Sequence, residues 1–166
     1  MTKALVTGGA GFIGSHLVDA LLDQGYEVVV LDDLSSGVKE NLDAAWNKHG
    51  ARLMLVIGSI CDVATVAAAM KGVQHVFHQA AKSLVPLSLD HPEMVTTVNV
   101  MGTLTVLQEA REAGVERVVY ASSASVYGDA IQEENGIPVG AVHEGRLPAP
   151  ISPYAASKLS AEYLCH

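Results

Sequence analysis

The feature that most limits how this chain can fold is Thr7-Gly8-Gly9-Ala10-Gly11-Phe12-Ile13-Gly14, directly after the apolar run Ala4-Leu5-Val6. Gly8, Gly11 and Gly14 stand three apart. A chain that leaves a buried strand, turns tightly and enters a helix lying close to a sheet excludes side chains at such positions. The helix that follows sets Ile13, Leu17 and Leu21 four apart on one face, and Gly25 suits its end. A glycine pattern alone is weak, and an ordinary glycine-rich turn is the competing reading. Its place between a strand and a helix, in the first β-α unit, favours a loop whose amides cradle a pyrophosphate.

Short apolar runs and amphipathic stretches alternate along the rest of the chain. Val28 to Leu31, Leu53 to Ile57, Val76 to His78 and Val118 to Ala121 read as strands. Lys39 to Lys48 reads as a weaker helix, and Asp62 as the cap of an Ala-rich helix running to Met70. Asp90 and Glu93 resemble a capping box for a long helix to about Ala113, with Val98, Met101 and Leu104 on its buried face. This order implies parallel β-α-β units, and the continuous apolar strands suit a sheet covered on both faces. The expected fold class is α/β, a Rossmann-like doubly wound parallel sheet of about five strands in the order 3-2-1-4-5. Gly128 to Ile151, with Pro138, Pro148 and Pro150, is too long for a simple connector and hints at a functional loop. Pro153 opens the last helix at its first position.

The formal net charge of −8 argues against nonspecific nucleic-acid binding, which needs lysine and arginine to replace counterions. No apolar run reaches the length of a membrane span, and the N-terminus enters a strand with no signal-peptide pattern, so the expected location is cytoplasmic. Cys61 and Cys165 form no metal or redox pair, and His16, His75, His91 and His143 are scattered, so no metal site is expected.

Asp32 ends the second strand about 20 residues beyond the glycine loop, where an acid can bind the adenosine ribose hydroxyls. Asp33 follows it and reads equally as a turn residue. Two carboxylates with no nearby arginine would repel a 2′-phosphate, which favours NAD over NADP. Tyr154 and Lys158 stand four apart and share a helix face. The lysine charge favours the phenolate, lowering the tyrosine pKa from about 10 and fitting it to exchange a proton with a substrate hydroxyl. A Tyr-x-x-x-Lys pair is more often an exposed helix pair. Here it follows the fifth strand, whose end carries Ser122-Ser123-Ala124-Ser125-Val126-Tyr127-Gly128.

With these segments in order, the chain resembles the extended short-chain dehydrogenase/reductase family, in its NAD-dependent epimerase/dehydratase branch of nucleotide-sugar epimerases. Thr7 to Gly14, Leu31 to Leu34, His78 to Ala81, Asn99, Ser122 to Gly128 and Tyr154 to Lys158 carry the resemblance. It implies that Tyr154 is the acid/base, Lys158 its partner and Ser123 the hydroxyl that holds the reacting oxygen. It also implies a cofactor site at Gly8, Gly11, Phe12, Ile13, Asp32, Asp33, Ser36, Ser59, Ile60, Gln79, Ala80, Ala81, Asn99, Tyr154 and Lys158. Asn99 would act structurally, inside its helix. The implied chemistry is transient oxidation of a sugar hydroxyl carbon by NAD, with hydride returned to the other face. The related 4,6-dehydratases carry Thr-Asp-Glu where this chain has Ser123-Ala124-Ser125, which argues against dehydration.

Ser59 departs from the family, which usually has an aspartate there. The resemblance also implies another hundred or more residues, supplying most nucleotide-sugar contacts. Residues 1–166 are therefore expected to be an NAD-binding Rossmann domain, truncated in the helix of Tyr154 and Lys158 and lacking the C-terminal substrate domain. Three expectations follow: an exposed edge at Val118 to Ala121 that favours a homo-oligomer, a last helix short of packing partners, and open questions over turnover of a nucleotide sugar. The alternatives are a non-catalytic NAD-binding or oligomerising module and a small NAD-dependent reductase.

Overall fold

A computed structural model of the chain describes residues 1–128 and 142–166 and, between them, the backbone of two short strands. β1 (Lys3–Thr7), β2 (Glu27–Asp32), β3 (Leu53–Ile57), β4 (His75–His78) and β5 (Arg117–Tyr120) form one sheet. Its order is β3-β2-β1-β4-β5 and all four pairings are parallel, the expected α/β architecture. The winding reverses between β1 and β4, and clefts form beyond the strand ends at such a point.

The alternation of each strand divides the core. Val6, Val28 and Val30 pack with Val18 and Leu22 of α1 (Phe12–Asp23) and Ala45 of α2 (Asp43–His49). Leu5, Val29, Leu31 and Val76 pack on the other face with Val66 of α3 (Val63–Ala69) and Val106 of α6 (Thr103–Glu112). The middle positions of the central strands are therefore apolar toward both faces, while polar residues such as Thr7, Asp32 and His78 stand at the strand ends. Asp62 caps α3, its side chain accepting from the Ala64 amide at 3.1 Å. A single 3₁₀ turn, Lys39–Leu42, precedes α2 within the expected weaker helix.

The expected long helix is broken. α4 (Val85–Asp90) ends where it was to begin, and α5 (Pro92–Thr96) starts afresh at Pro92. His91 is its N-cap and makes no side-chain cap bond, so the Asp90–Glu93 capping box does not form. Proline brings a fixed φ and no N–H, and so sets the first helical position itself. A π-helical segment, Thr97–Gly102, then leads into α6. Its wider turns rotate the buried stripe to Val95, Asn99, Thr103, Val106 and Ala110 and leave Met101 exposed. Unbroken α-helical spacing had put Met101 inside.

Within the expected loop from Gly128 to Ile151, β6 (Glu133–Glu134) pairs antiparallel with β7 (Ile137–Pro138); its other residues from 129 to 141 lie outside the described residues. α7 (Pro153–Leu164) opens at Pro153, and the Ser152 side chain accepts from the Ala155 amide at 3.1 Å. The expectation that this helix is short of partners is not met. It packs on α4, α5 and α6 and buries Tyr154, Ala155, Ser157, Lys158 and Ala161. Among the described residues, no helix is long and apolar enough to cross a membrane, and no His, Cys, Asp or Glu cluster could hold a metal.

Candidate active site

The glycine loop joins β1 to α1 by close backbone approach. Gly8 has φ +69°, and a Cβ there would lie 2.7 Å from the Ala80 nitrogen. A Cβ on Gly14 would lie 2.1 Å from the Gly8 carbonyl oxygen. α1 has Gly11 as N-cap and no side-chain cap, which leaves amides at its start for an anion. A cavity of about 340 Å³ opens beside this loop. Gly8, Gly11, Phe12 and Ile13 line it, with Asp32, Asp33 and Ser36 after β2 and Ser59 and Ile60 after β3. Gln79, Ala80 and Ala81 after β4, and Ser122, Tyr154 and Lys158, complete it.

Asp32 is buried, and its carboxylate accepts from the Ala10 amide and the Leu34 amide, each at 2.9 Å. It therefore fastens the glycine loop to the end of β2, a role invisible in the sequence. Each oxygen keeps a lone pair for a ribose hydroxyl. Asp33 accepts from the Ser35 amide at 2.9 Å and from the Ser35 hydroxyl. Lys82 reaches the same carboxylate at 3.3 Å. Partial burial pushes the Asp33 carboxyl up, but Ser35 and Lys82 outweigh it and hold it below its usual range. A cation thus stands beside a carboxylate where the sequence suggested only negative charge. Ser59 spends its hydroxyl accepting from the Cys61 amide at 3.1 Å.

At the other end, Lys158 is buried with its Nζ 4.4 Å from the centre of the Tyr120 ring. Burial pulls its ammonium down to about 8, against an opposing pull from Cys165 and Glu162. The Tyr120 hydroxyl is buried without a partner, and burial pushes its pKa upward.

Buried hydrogen bonds run between the two ends. Asn99 holds the Lys82 backbone at both groups: Oδ1 accepts from the amide at 2.8 Å and Nδ2 donates to the carbonyl at 3.1 Å. Nδ2 also donates to the Ser157 hydroxyl at 2.9 Å, which donates to the Tyr154 carbonyl at 2.7 Å. The Thr103 hydroxyl donates to the Asn99 carbonyl at 2.6 Å, so it accepts from His78 Nε2 at 2.9 Å. His78 Nδ1 then accepts from the Thr7 hydroxyl at 2.6 Å, which accepts from the Ala80 amide at 3.2 Å. These partners fix one neutral tautomer of His78. Burial, with the Lys158 charge as the second cause, pulls its pKa down to about 3.

Two expected site residues do not line the cavity. Asn99 is enclosed behind it, holding Lys82 and Ser157. Ser123 caps the 3₁₀ turn Ala124–Tyr127, accepting from the Ser125 amide at 3.2 Å, while its neighbour Ser122 faces the cavity. Sequence reasoning missed Thr7, His78, Lys82, Thr103 and Ser157. Thr7, His78 and Ser157 lie inside segments already singled out; the pairings of Lys82 and Thr103 span distances in sequence that only the fold closes.

A glycine loop at the β1 end, an acid at the β2 end and a buried Tyr-Lys pair define the class, an α/β dinucleotide-binding protein of short-chain dehydrogenase type. Comparison with known proteins narrows this. The sequence model of the NAD dependent epimerase/dehydratase family matches residues 4–166, and the chain belongs to that family. It is 44% identical over 163 residues to the UDP-glucose 4-epimerase of Mycolicibacterium smegmatis, covering 96% of this chain and 49% of that protein. The crystal structure of Thermotoga maritima UDP-glucose 4-epimerase with UDP-glucose superposes with TM-score 0.86 at 35% identity, covering 99% of this chain and 50% of that one. The dTDP-glucose 4,6-dehydratase of Streptomyces venezuelae with NAD bound gives 0.87 at 42% identity, covering 98% and 50%. The chain spans about half the length of the curated relatives it matches.

Proposed function

We propose that this chain is the NAD-binding half of a nucleotide-sugar epimerase-like short-chain dehydrogenase/reductase. One observation carries the reading: a single cavity gathers the glycine loop, Asp32 and the Tyr154–Lys158 pair. These residues fit a dinucleotide, since Gly8 and Gly14 admit no Cβ and Asp32 keeps lone pairs toward the cleft. Bound NAD would supply hydride acceptance and return. The amides at the start of α1 hold the diphosphate, and Asp32 holds the adenosine ribose. Lys158 holds the second ribose, and Tyr154 exchanges a proton at its hydroxyl with the sugar. Ser123, or Ser122 in the cavity wall, steadies the sugar oxygen. Ala124 and Ser125 provide no carboxylic acid for elimination, which supports epimerisation over dehydration.

The test is conversion of UDP-glucose to UDP-galactose by the purified chain with NAD. Turnover that falls at least a hundredfold in Tyr154→Phe supports the reading. Cofactor binding without turnover supports a second reading, an NAD-binding or oligomerising module.

A further inference from the structure

Lys82 stands apart from every role assigned so far. Its backbone follows β4 and is held by Asn99 at both N–H and C=O. Its side chain, 18% exposed, ends on Asp33 Oδ2 at 3.3 Å and on the Ser35 hydroxyl. Asp33 and Ser35 follow β2. β1 and its glycine loop lie between β2 and β4 in the sheet. The lysine arm therefore crosses from one side of the glycine loop to the other, along the cavity wall that Lys82, Asp33 and Ser35 share with that loop.

We propose that Lys82 is a movable strap over the dinucleotide cleft: paired with Asp33 and Ser35 in the structure, it transfers its ammonium to the diphosphate of a bound dinucleotide. The inference rests on the NAD-binding reading above. Three observations support it. The root of the arm is fixed by Asn99, so its reach is limited to the cleft. The loop it crosses is where α1 leaves its first amides to an anion. Its present partner is a weak hold, because the Asp33 side chain is 40% exposed and an ion pair so open to solvent gains little. A diphosphate between two helix-start amides and an ammonium makes charge-assisted hydrogen bonds that the single carboxylate does not. Transfer also frees Asp33 to accept from a ribose hydroxyl.

The experiment is calorimetric titration of the wild-type chain, Lys82→Met and Lys82→Arg with NAD, ADP and adenosine. The strap predicts that Lys82→Met weakens NAD and ADP about tenfold, that adenosine is unaffected, and that Lys82→Arg recovers most of the loss. Matching thermal melts of the three proteins show that the fold is intact. Unchanged or tighter NAD binding in Lys82→Met overturns the strap, as does an equal loss for adenosine. Wild-type protein that binds no NAD overturns the cofactor reading itself, which separates the two failures.

Discussion

At the residue scale, His78 is the group whose environment differs most from water. It is fully enclosed, with Thr7 donating to one ring nitrogen and Thr103 accepting from the other. Protonation would force a donor against the Thr7 hydroxyl, and the nearby Lys158 charge adds to the cost. The folded pKa of about 3 lies below the ordinary 6.5, so between these values the unfolded chain binds the extra proton. Stability supplied by neutral His78 is thus present above pH 6.5 and is lost as pH falls toward 3, by a few kcal/mol. Denaturant unfolding of wild type and His78→Gln across this window checks it. The wild-type curve should fall more steeply; parallel curves would contradict the assignment. His78 opens the segment His78 to Ala81 that the sequence singles out, but its partners, in β1 and α6, are not legible there.

At the element scale, the break between α4 and α6 matters most for the site. The π-helical segment turns Asn99 inward, where it joins the chain after β4 to α7. Asn99→Ala would leave the Lys82 amide and carbonyl and the Ser157 hydroxyl short of partners. A loss of about 3 kcal/mol is expected from buried groups left unsatisfied, read by denaturant unfolding; a loss within a few tenths would show that Asn99 is dispensable. The strands and α1 were legible because strand periodicity and glycine spacing are local signals. The helix break was not. Pro92 could have flagged the restart, but hydrophobic spacing presumes one helical pitch, and Met101 was placed wrongly for that reason. Tyr154 and Lys158 were legible as a pair, whereas the link between Lys158 and Tyr120 arises from the docking of α7 beside β5.

For the whole molecule, the sheet has two open margins with exposed apolar side chains, Met54 and Ile57 on β3 and Val119 on β5. β3 and β5 are edges, and β5 leaves Val119 44% exposed. An open apolar edge offers unpaired N–H and C=O groups to a second copy. Self-association of this chain is expected, seen by light scattering as a mass above that of one chain, and Val119→Lys should shift it toward monomer. A clean monomer at all concentrations would contradict it. The cavity sits at the strand ends where winding reverses, and the glycine loop, Asp32, the segment after β4 and the Tyr154–Lys158 pair meet there. This convergence brings residues scattered from Gly8 to Lys158 to one cavity wall.

The proposed site binds NAD through the glycine loop and Asp32. Calorimetric titration of the chain with NAD, beside NADP, tests it most directly. One site per chain should take NAD and bind NADP more weakly, since the buried Asp32 carboxylate opposes a 2′-phosphate even with Lys82 nearby. No binding of either cofactor, or NADP bound as tightly as NAD, would contradict it.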